Sequence, residues 1–381
     1  MRASAVVIGL GDHGSLGIAR SLGRMGVPVY GVHHEVTPAA RSRYFRSVYR
    51  WSASVDELVA VAGHAGDRPV LIPTGDPAAL WLDEHADDLA AHFRFPVRPS
   101  GLAAALSSKR DMHELCVTHG VPTPAATFPQ SRRAVEAYDG PFPVMVKSID
   151  NRSAERRGVD RMAKARDRRE ALAAYDRLED PEHPNLMLQE YIPGDAEAVW
   201  MFNGYFDANS ECLFGITGKK IRQCPPETGS TSLGECLRND DVDGLTRRFM
   251  KAVGYRGILD CGYRYDARDG QYKLLDVNPR IGATFRLFVG NGGLDVARAL
   301  YLDLTGAPVP PDDIQEGRRW VVESNDLVSF VTTRGLSPVD WVRSFKGVRE
   351  SAWWARDDLR PFAGISAETA RRATRLLLRR D

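Results

Sequence analysis

The sequence contains no apolar run that approaches the ~18 residues of a membrane-spanning helix, so we expect no membrane insertion. Its five cysteines are scattered and never stand in CxxC spacing, which argues against a zinc site or a disulfide framework. Free thiols of this kind are typical of a cytoplasmic protein. The N-terminus lacks the charged region, long apolar segment and cleavage site of a signal peptide. The dispersed histidines form no HExxH motif, and no catalytic triad stands out.

Net charge is nearly absent, since 51 Lys and Arg residues face 50 Asp and Glu residues. This balance argues against nucleic-acid binding by the whole surface, which usually accompanies strong net basicity. The 381 residues are 43% hydrophobic and 27% charged, as in an ordinary folded protein. At about 100–200 residues per domain, the length predicts two or three domains.

The first hundred residues alternate between apolar strand runs and helical spacing. The runs at 5–8, 27–32 and 70–73 predict parallel strands, and a helix is predicted at 18–25. A parallel sheet of this kind binds ligands at the carboxyl ends of its strands, where the Thr74-Gly75-Asp76 loop follows the third run. The fold class is therefore α/β in this part.

The middle of the chain mixes helices with many strands, which predicts an α+β arrangement. Helices are predicted at 106–119, 169–178, 241–253 and 292–305. Strands are predicted at 141–147, 186–192, 198–202, 213–221, 257–265 and 272–277. A proline-rich linker follows residue 307, and residues 318–381 have no pattern that we can interpret.

Gly9, Gly11 and Gly14 form a GxGxxG motif between the first strand and the first helix, with Glu35 after the next strand. In this context the glycines would let backbone N–H groups approach a dinucleotide pyrophosphate. A tight turn of any doubly wound domain is the alternative. An NAD(P)-dependent oxidoreductase is therefore one candidate function.

A hairpin at 257–280 carries oxygen ligands that suit Mg²⁺. Asp276 and Asn278 share one face of the returning strand, because side chains alternate along a strand. A two-residue turn at Asp269-Gly270 would point Asp260 away, whereas a three- or five-residue loop would bring it onto the same face. Two carboxylates and an amide oxygen would then form a hard-oxygen site. A polar hairpin with solvated carboxylates is the alternative.

Two lysines and one strand end could contact a nucleotide. Lys147 ends an apolar strand, and Lys109 lies early in a helix, after Ser107-Ser108, which have the character of N-cap residues. Each could bind phosphate or simply be solvated. The strand that ends at Gln189-Glu190-Tyr191-Ile192 offers backbone groups to a flat heterocycle, and Glu197 could accept from a ribose; an interdomain connector is the alternative.

Other polar clusters have less specific interpretations. The arginine-rich stretch 151–170 predicts either a solvated face or a basic lid over phosphates. The segment 370–380 predicts a basic surface helix. His33 and His34 are expected on opposite faces of a strand, which would make them a poor pair of metal ligands.

The order of these motifs along residues 1–306 resembles the ATP-grasp superfamily, specifically the carboxylate–amine ligases that look like D-aspartate ligase. The resemblance implies an ATP-grasp fold with a Rossmann-like pre-ATP-grasp domain at 1–103 and a small lid subdomain at 104–192. It also implies a metal-binding subdomain at 193–306, which leaves a C-terminal extension at 307–381. Lys220–Gly229 and Gly270–Arg280 contain further matching segments.

The resemblance also implies a role for each matching residue. Lys109 and Lys147 look like the lysines that hold ATP phosphates. The adenine and ribose contacts would fall to Glu190, Tyr191, Ile192 and Glu197. The metal ligands would be Asp260, Asp276 and Asn278. Catalytic contacts to the transferred phosphoryl group would come from Arg280, Arg222 and Lys147, and the substrate would contact Gly11, Asp76, Arg222 and Arg280.

Two positions depart from the family pattern. The metal acid of the first hairpin strand would fall at position 262, which is glycine here, and Asp260 is its natural substitute on the same face. The phosphate-covering loop is usually glycine-rich, whereas 151–158 is rich in arginine and serine.

The resemblance implies an ATP- and Mg²⁺-dependent ligase that joins a small-molecule carboxylate to an amine through an acyl phosphate. It implies no nucleic-acid or membrane partner, and the sequence leaves a homodimer open. The alternatives are the NAD(P)-dependent oxidoreductase and an ATP-binding module that has lost catalysis.

Overall fold

A computed structural model describes residues 2–149, 157–180, 184–226, 229–333 and 335–377, with side chains up to residue 369 in the last helix. Contacts divide the chain into two compact units. The main unit comprises Met1–Ser100, Asp195–Asp260 and Asn278–Asp381. The inserted unit comprises Gly101–Gly194 and Cys261–Val277. The division into four domains by sequence stays a prediction.

Each predicted helix and strand has a counterpart among the described residues, although several bounds differ, and further elements that were not predicted are also present. The strands are β1 Ala5–Ile8, β2 Val29–His33, β3 Phe45–Arg50, β4 Val70–Pro73, β5 Ala126–Thr127, β6 Val144–Ser148, β7 Met162–Ala165, β8 Leu186–Glu190, β9 Val199–Phe206, β10 Cys212–Cys224, β11 Ser230–Cys236, β12 Gly257–Asp266, β13 Gln271–Asn278, β14 Arg319–Val321 and β15 Val348–Ser351. The helices are α1 His13–Arg24, α2 Val55–Ala65, α3 Asp76–Glu84, α4 Ala86–Leu89, α5 Leu102–Ser107, α6 Lys109–Thr118, α7 Arg132–Glu136, α8 Arg168–Leu178, α9 Asp240–Ala252, α10 Val296–Leu304, α11 Glu323–Thr332, α12 Pro338–Ser344 and α13 Arg360–Leu377.

The first sheet of the main unit is parallel, with strand order β3-β2-β1-β4. Both faces are covered, because β1 contributes Val7 to one apolar cluster and Val6 and Ile8 to another. Strands buried on both faces read as continuous apolar runs, which is why β1 and β4 match their predicted bounds. The carboxyl ends of β1 and β4 meet at one edge of this sheet and expose the loops that follow them.

The second sheet of the main unit contains β9, β10, β11, β14 and β15 in that order. Strands β14 and β15 come from the C-terminal region whose sequence had no interpretable pattern. β14 pairs antiparallel with β11, and the fully buried Trp320 lies at its centre. A three-residue strand carries too short a period for sequence recognition.

The inserted unit contains an antiparallel sheet with strand order β5-β8-β6-β7. Val144, Val146 and Leu188 bury their side chains against α8. The helix predicted over 106–119 is in fact two helices, α5 and α6. Ser108 interrupts them with extended backbone (ψ 121°), and its hydroxyl accepts from the Asp111 N–H (3.4 Å) as the N-cap of α6.

Buried ion pairs connect the C-terminal region to the rest of the main unit. Arg20 on α1 binds Asp358 (3.0 Å), and both side chains are almost completely buried. Glu350 on β15 accepts from Arg286 (2.7 Å) and Arg318 (2.8 Å). Among the described residues, no helix is both long enough and apolar enough to span a membrane.

Candidate functional site

Lys147 is a buried cation near the end of β6 in the inserted unit. Its side chain is 9% exposed, and its Nζ donates to Gln189 Oε1 on β8 (2.6 Å). Burial, together with the nearby charges of Lys109 and Arg264, lowers the pKa of Lys147 to about 8, and the charge of Asp276 partly opposes this shift. Three cations and one carboxylate leave this part of the unit with a local excess of positive charge, which suits a polyanionic ligand.

Lys109 and Arg264 extend this positive region. Lys109 is the first residue of α6, and the sequence predicted it to lie early in a helix. Arg264 was not singled out by its sequence, because an arginine on a half-exposed strand carries no distinct pattern. Its guanidinium donates to the carbonyl oxygens of Ile192 (2.8 Å) and Gly194. It therefore fixes the backbone that follows β8.

The predicted nucleotide-edge residues lie at the end of β8. The Glu190 carboxylate binds Arg268 (2.5 Å) and lies 3.7 Å from Lys273 Nζ, so its side chain is used within the protein. The Lys164 ammonium lies 3.7 Å from the centre of the Tyr191 ring, a cation–π contact. The Ile192 side chain is buried. Backbone groups, rather than these side chains, are therefore what this segment could offer a heterocycle.

Glu197, the predicted ribose acid, belongs to the main unit. It lies in a short 3-10 turn that Asp195 caps, and its carboxylate is 65% exposed. It forms an ion pair with Lys219 (3.0 Å) on β10. An exposed pair of this kind is weak, so Glu197 stays accessible to a hydroxyl donor.

The structure gives a physical reason for glycine at position 262, where the family pattern has a metal-binding acid. A Cβ at position 262 would lie 2.5 Å from Asp276 Oδ1, which is closer than any real contact. The missing side chain therefore makes room for the Asp276 carboxylate. β12 and β13 are joined by residues 267–270, where Gly270 has a positive φ (72°). The two-residue turn considered from the sequence is therefore wrong.

Asp260 and Asn278 are neighbours within the main unit. The Asn278 amide donates to the Asp260 carbonyl oxygen (3.3 Å) and to Asp260 Oδ2 (3.5 Å). Gly282 lies directly against the Asp260 carboxylate, because a Cβ there would be 2.6 Å from Oδ2. A carboxylate and an amide oxygen thus occur together, which is the donor chemistry that Mg²⁺ requires.

Arg280 is surrounded by acceptors in the main unit. Its Nε donates to Asp76 Oδ1 (2.7 Å), and its terminal nitrogens lie 3.2 Å from Asn278 Oδ1 and 3.6 Å from Asp260 Oδ2. Burial alone would lower the pKa of Arg280, but Asp76 and Asp260 raise it. Asp76 is the first residue of α3, directly after the loop that follows β4. The predicted substrate residues Asp76 and Arg280 are therefore in direct contact.

The glycine motif after β1 forms a turn rather than a dinucleotide site. The Gly9 N–H donates to Val32 O (3.0 Å), and the Leu10 N–H donates to His33 Nδ1 (3.2 Å). Asp12 caps α1 by accepting from the Gly14 N–H (2.8 Å), which places a carboxylate where a pyrophosphate would lie. The geometry gives no support to the NAD(P) alternative.

Two further features bear on that turn. A Cβ at Gly14 would lie 2.9 Å from Ala283 Cα, so Gly14 permits close packing of α1 against the chain after Arg280. At Gly11 a Cβ would meet nothing within 4 Å. Gly11 therefore borders open space, as a substrate contact would require.

Arg222 occupies a different environment from the one predicted. Its Nε (2.9 Å) and one terminal nitrogen (2.8 Å) donate to the buried Asp326 carboxylate on α11. Its other terminal nitrogen donates to Ser344 Oγ (2.8 Å). Asp326 also accepts from Ser232 and Trp341. The predicted catalytic and substrate contacts of Arg222 find no support here, because its guanidinium is already bound within the protein.

His33 and His34 contradict the expectation from sequence. Their ring centres are 4.1 Å apart, because His34 lies in the bend after β2 and not in the strand. Among the described residues, they and Glu35 bring potential metal-ligand atoms within 4.8 Å of one another. His33 Nδ1 accepts from a backbone N–H, so the proton of the neutral ring sits on Nε2. That tautomer is unsuited to metal binding through Nε2.

The basic segments and the cysteines add little to the site. Residues 151–156 of the predicted lid lie outside the described residues, as do the side chains of the basic segment at 370–380. Within the described part of the lid region, Arg157 and Arg168 donate to the carbonyl oxygens of Leu178 and Tyr138. None of the five cysteines, all of which lie in the described residues, forms a disulfide. Burial raises the pKa of Cys116 to about 12, which makes this thiol unreactive.

Solved structures share this architecture. N5-carboxyaminoimidazole synthetase from Staphylococcus aureus matches with a TM-score of 0.62 and 13% identity over 84% of this chain and 82% of that chain. L-amino acid ligase from Bacillus licheniformis matches with a TM-score of 0.61 and 13% identity over 84% and 79%. Biotin carboxylase from Campylobacter jejuni matches with a TM-score of 0.63 and 15% identity over 83% and 74%. The chain has the ATP-grasp fold.

Within this fold, the ATP-grasp chain also resembles a curated protein in sequence. It is 25% identical over 243 residues to D-aspartate ligase from Enterococcus faecium (strain Aus0004). The match covers 60% of this chain and 57% of that protein, so the chain spans little more than half of its relative. No family model matches. The fold and the resemblance to D-aspartate ligase confirm the sequence prediction.

Proposed function

We propose that this ATP-grasp chain is an ATP- and Mg²⁺-dependent carboxylate–amine ligase that forms an amide bond through an acyl phosphate. The observation that carries the proposal is the environment of Lys147. A buried ammonium that donates to a neutral amide, beside two further cations, is unfavourable unless an anion binds there. ATP supplies such an anion. The resemblance to D-aspartate ligase supports the same assignment.

The proposed reaction has two steps. A substrate carboxylate oxygen attacks the γ-phosphorus of ATP, and the bond to the bridging oxygen breaks to give an acyl phosphate and ADP. The lone pair of the amine then attacks the acyl carbon, phosphate leaves with the electron pair of the C–O bond, and the nitrogen loses its extra proton. Lys109 and Lys147 bind and orient the phosphates, and such positioning is the main source of catalysis in phosphoryl transfer.

The remaining residues divide into nucleotide and substrate groups. The backbone of Glu190, Tyr191 and Ile192 borders adenine, and Glu197 accepts from the ribose. Arg280 neutralises charge on the transferred phosphoryl group or the acyl phosphate, which electrostatic stabilisation requires. Asp76 and Gly11 border the substrate. We leave Arg222 out of the contacts to ligand.

Asp260, Asp276 and Asn278 are the residues that would hold Mg²⁺. Their carboxylate and amide oxygens suit a hard cation, and Gly262 leaves the space that the Asp276 carboxylate occupies. When bound, the ion neutralises charge on the β- and γ-phosphates. A homodimer stays a prediction. Five scattered cysteines without CxxC spacing support a cytoplasmic location.

A screen of carboxylate and amine pairs for ADP release, with mass detection of the conjugate, tests this function. We expect one pair to give ADP and an amide product in equal amounts, and we expect Asp276→Ala to abolish both. Full activity of Asp276→Ala would refute the metal assignment. ATP binding without turnover of any pair would favour the degenerate module. Thermal stabilisation by NADH but not by ATP with Mg²⁺ would favour the oxidoreductase.

A further inference from the structure

Helix α3 of the main unit holds the loop that carries Asn278 and Arg280 from two directions. At its first residue, Asp76 accepts directly from the Arg280 side chain (2.7 Å). Near its last residue, Asp83 binds Arg98, and Arg98 in turn donates to the carbonyl oxygen of Pro279 (3.1 Å). The first contact belongs to the proposed substrate site. The second contact, through Arg98 to Pro279, involves no residue to which the proposed function assigns a ligand.

Arg98 forms this link with all three nitrogens of its guanidinium group. Its Nε and one terminal nitrogen bind both oxygens of Asp83 at 2.6–3.2 Å, and the other terminal nitrogen reaches Pro279. Its side chain is only 6% exposed. A bidentate arginine–carboxylate pair has a fixed plane, so the direction of the remaining N–H toward Pro279 is fixed as well. Because Arg98 is almost completely buried and held on both sides, it acts on the loop from within the protein.

The Pro279 carbonyl is a sensitive point of the loop. Pro279 is buried and stands between the candidate metal ligand Asn278 and Arg280. The Arg280 N–H turns back to the Asn278 carbonyl oxygen (2.8 Å), and Thr74 forms a parallel bridge with Ile281. Rotation of the peptide plane after Pro279 would therefore redirect the Arg280 side chain. A buried carbonyl that loses its donor would favour such a rotation.

We infer that Arg98, held by Asp83, is a positioning residue that orients Asn278 and Arg280 for the reaction. This inference rests on the proposed function, because it assigns chemistry to Arg280. The N-terminal part of the main unit thereby has a second role in catalysis. Helix α3 borders the substrate, and it also sets the backbone from which the charged group of Arg280 projects.

Amide hydrogen exchange tests the structural half of this inference without any substrate. We expect Arg98→Met, which keeps the apolar stem, to speed exchange of the backbone amides at 280–283 by about 10-fold or more. Arg20→Met is the matched control. Arg20 is also a buried arginine that binds an aspartate and backbone carbonyls, yet it contacts Asp358, Ala352 and Trp353 instead of the loop. Unchanged exchange at 280–283 in Arg98→Met would overturn the inference.

Kinetics with the substrate pair from the screen test the functional half. We expect Arg98→Met to lower kcat by about 10- to 100-fold, with the KM for ATP within about threefold of its normal value. Arg98→Lys should recover part of kcat, and Arg20→Met should leave it unchanged. In an Arg280→Ala background, Arg98→Met should cause a smaller loss than in the wild type, because only its effect through Asn278 remains, whereas full multiplication of the two losses would overturn the inference.

The exchange experiment and the kinetic experiment together distinguish failure of the positioning role from failure of the proposed function. If no carboxylate and amine pair is turned over, the proposed function fails, and the exchange experiment still decides whether Arg98 orders the loop. If turnover is found but Arg98→Met has normal kcat, the positioning role fails while the proposed function stands.

Discussion

Lys147 gives the sharpest test of the phosphate site, because its charge is costly in the unliganded protein. Burial lowers its pKa from 10.5 to about 8, and at 1.36 kcal/mol per unit this amounts to about 3 kcal/mol of destabilisation at pH 7. Lys147→Met removes that cost but leaves Gln189 Oε1 without its donor, which costs about 1–3 kcal/mol. We expect the variant without ligand to be between equally stable and about 2 kcal/mol more stable than the wild type at pH 7.

The pH dependence of unfolding follows from the same pKa. The unfolded chain keeps the Lys147 proton up to about pH 10.5, whereas the folded protein releases it near pH 8. Over that interval the unfolded state binds more protons, so the free energy of unfolding contributed by this group rises with pH. Urea unfolding measures the free energy of unfolding at pH 7 and at pH 9.5. The wild type should gain this contribution between the two pH values, and Lys147→Met should not. A Lys147→Met variant that is less stable by about 3 kcal/mol at pH 7 would refute the reasoning.

Nucleotide binding should raise the lowered pKa of Lys147 again. A polyphosphate stabilises the ammonium form, so at pH 8.5, where Lys147 is roughly three-quarters neutral, binding of ATP with Mg²⁺ should take up about 0.7 proton. Calorimetry in two buffers of different ionisation enthalpy measures this uptake. Lys147→Arg is the matched control, because a guanidinium does not titrate and the uptake should vanish. Binding at pH 8.5 without proton uptake by the wild type would contradict the placement of ATP at Lys147.

Further predictions concern the metal strand, the C-terminal region and acid stability. Gly262→Ala should lower Mg²⁺-dependent ADP release at least about tenfold, because the new methyl group displaces a carboxylate; Gly63→Ala, where a Cβ meets nothing, should be neutral in the same assay. Asp326→Ala should destabilise the protein by about 3–5 kcal/mol, since Arg222 loses its buried counter-charge, and a small change in the urea midpoint would contradict this. Burial alone would raise the pKa of Glu350, but its two arginines hold it at about 2. Its contribution to stability is therefore present above pH 4.5 and lost as pH falls toward 2, and Glu350→Gln should flatten acid unfolding in that range.

Much of the fold could be predicted because its signals are local. β1 and β4 are buried on both faces, so their sequences are continuous apolar runs with unambiguous bounds. The short strands β14 and β15 escaped prediction, because pairing with distant strands decides them. The N-cap character of Ser107-Ser108 was visible in the sequence, but the separate helix α5 before it was not. The ATP-grasp fold could be predicted from the order of motifs, and the matches to solved structures confirm it.

The candidate site was predictable in its types of residue but not in its pairings. The sequence predicts Asp76 and Arg280 separately as substrate contacts, yet their contact joins residues 204 positions apart. The prediction for Arg222 rests on its place in the family pattern, and nothing local in the sequence indicates that Asp326 binds it. Arg98 lacked any signal, because a buried arginine that serves a carbonyl has the same sequence appearance as a solvated one.

The buried pair of Arg222 and Asp326 also restricts how this chain can be recombined with others. A crossover between β10 and α11 would join a guanidinium to a region that evolved with a different counter-charge, or with none. The hybrid would bury an uncompensated ion at a cost of about 3–5 kcal/mol, which is a large part of the stability of many domains. The segment that contains β10 and the C-terminal region that contains α11 should therefore be inherited together. Relatives should exchange substrate preference by replacement of loops and not by replacement of the C-terminal region.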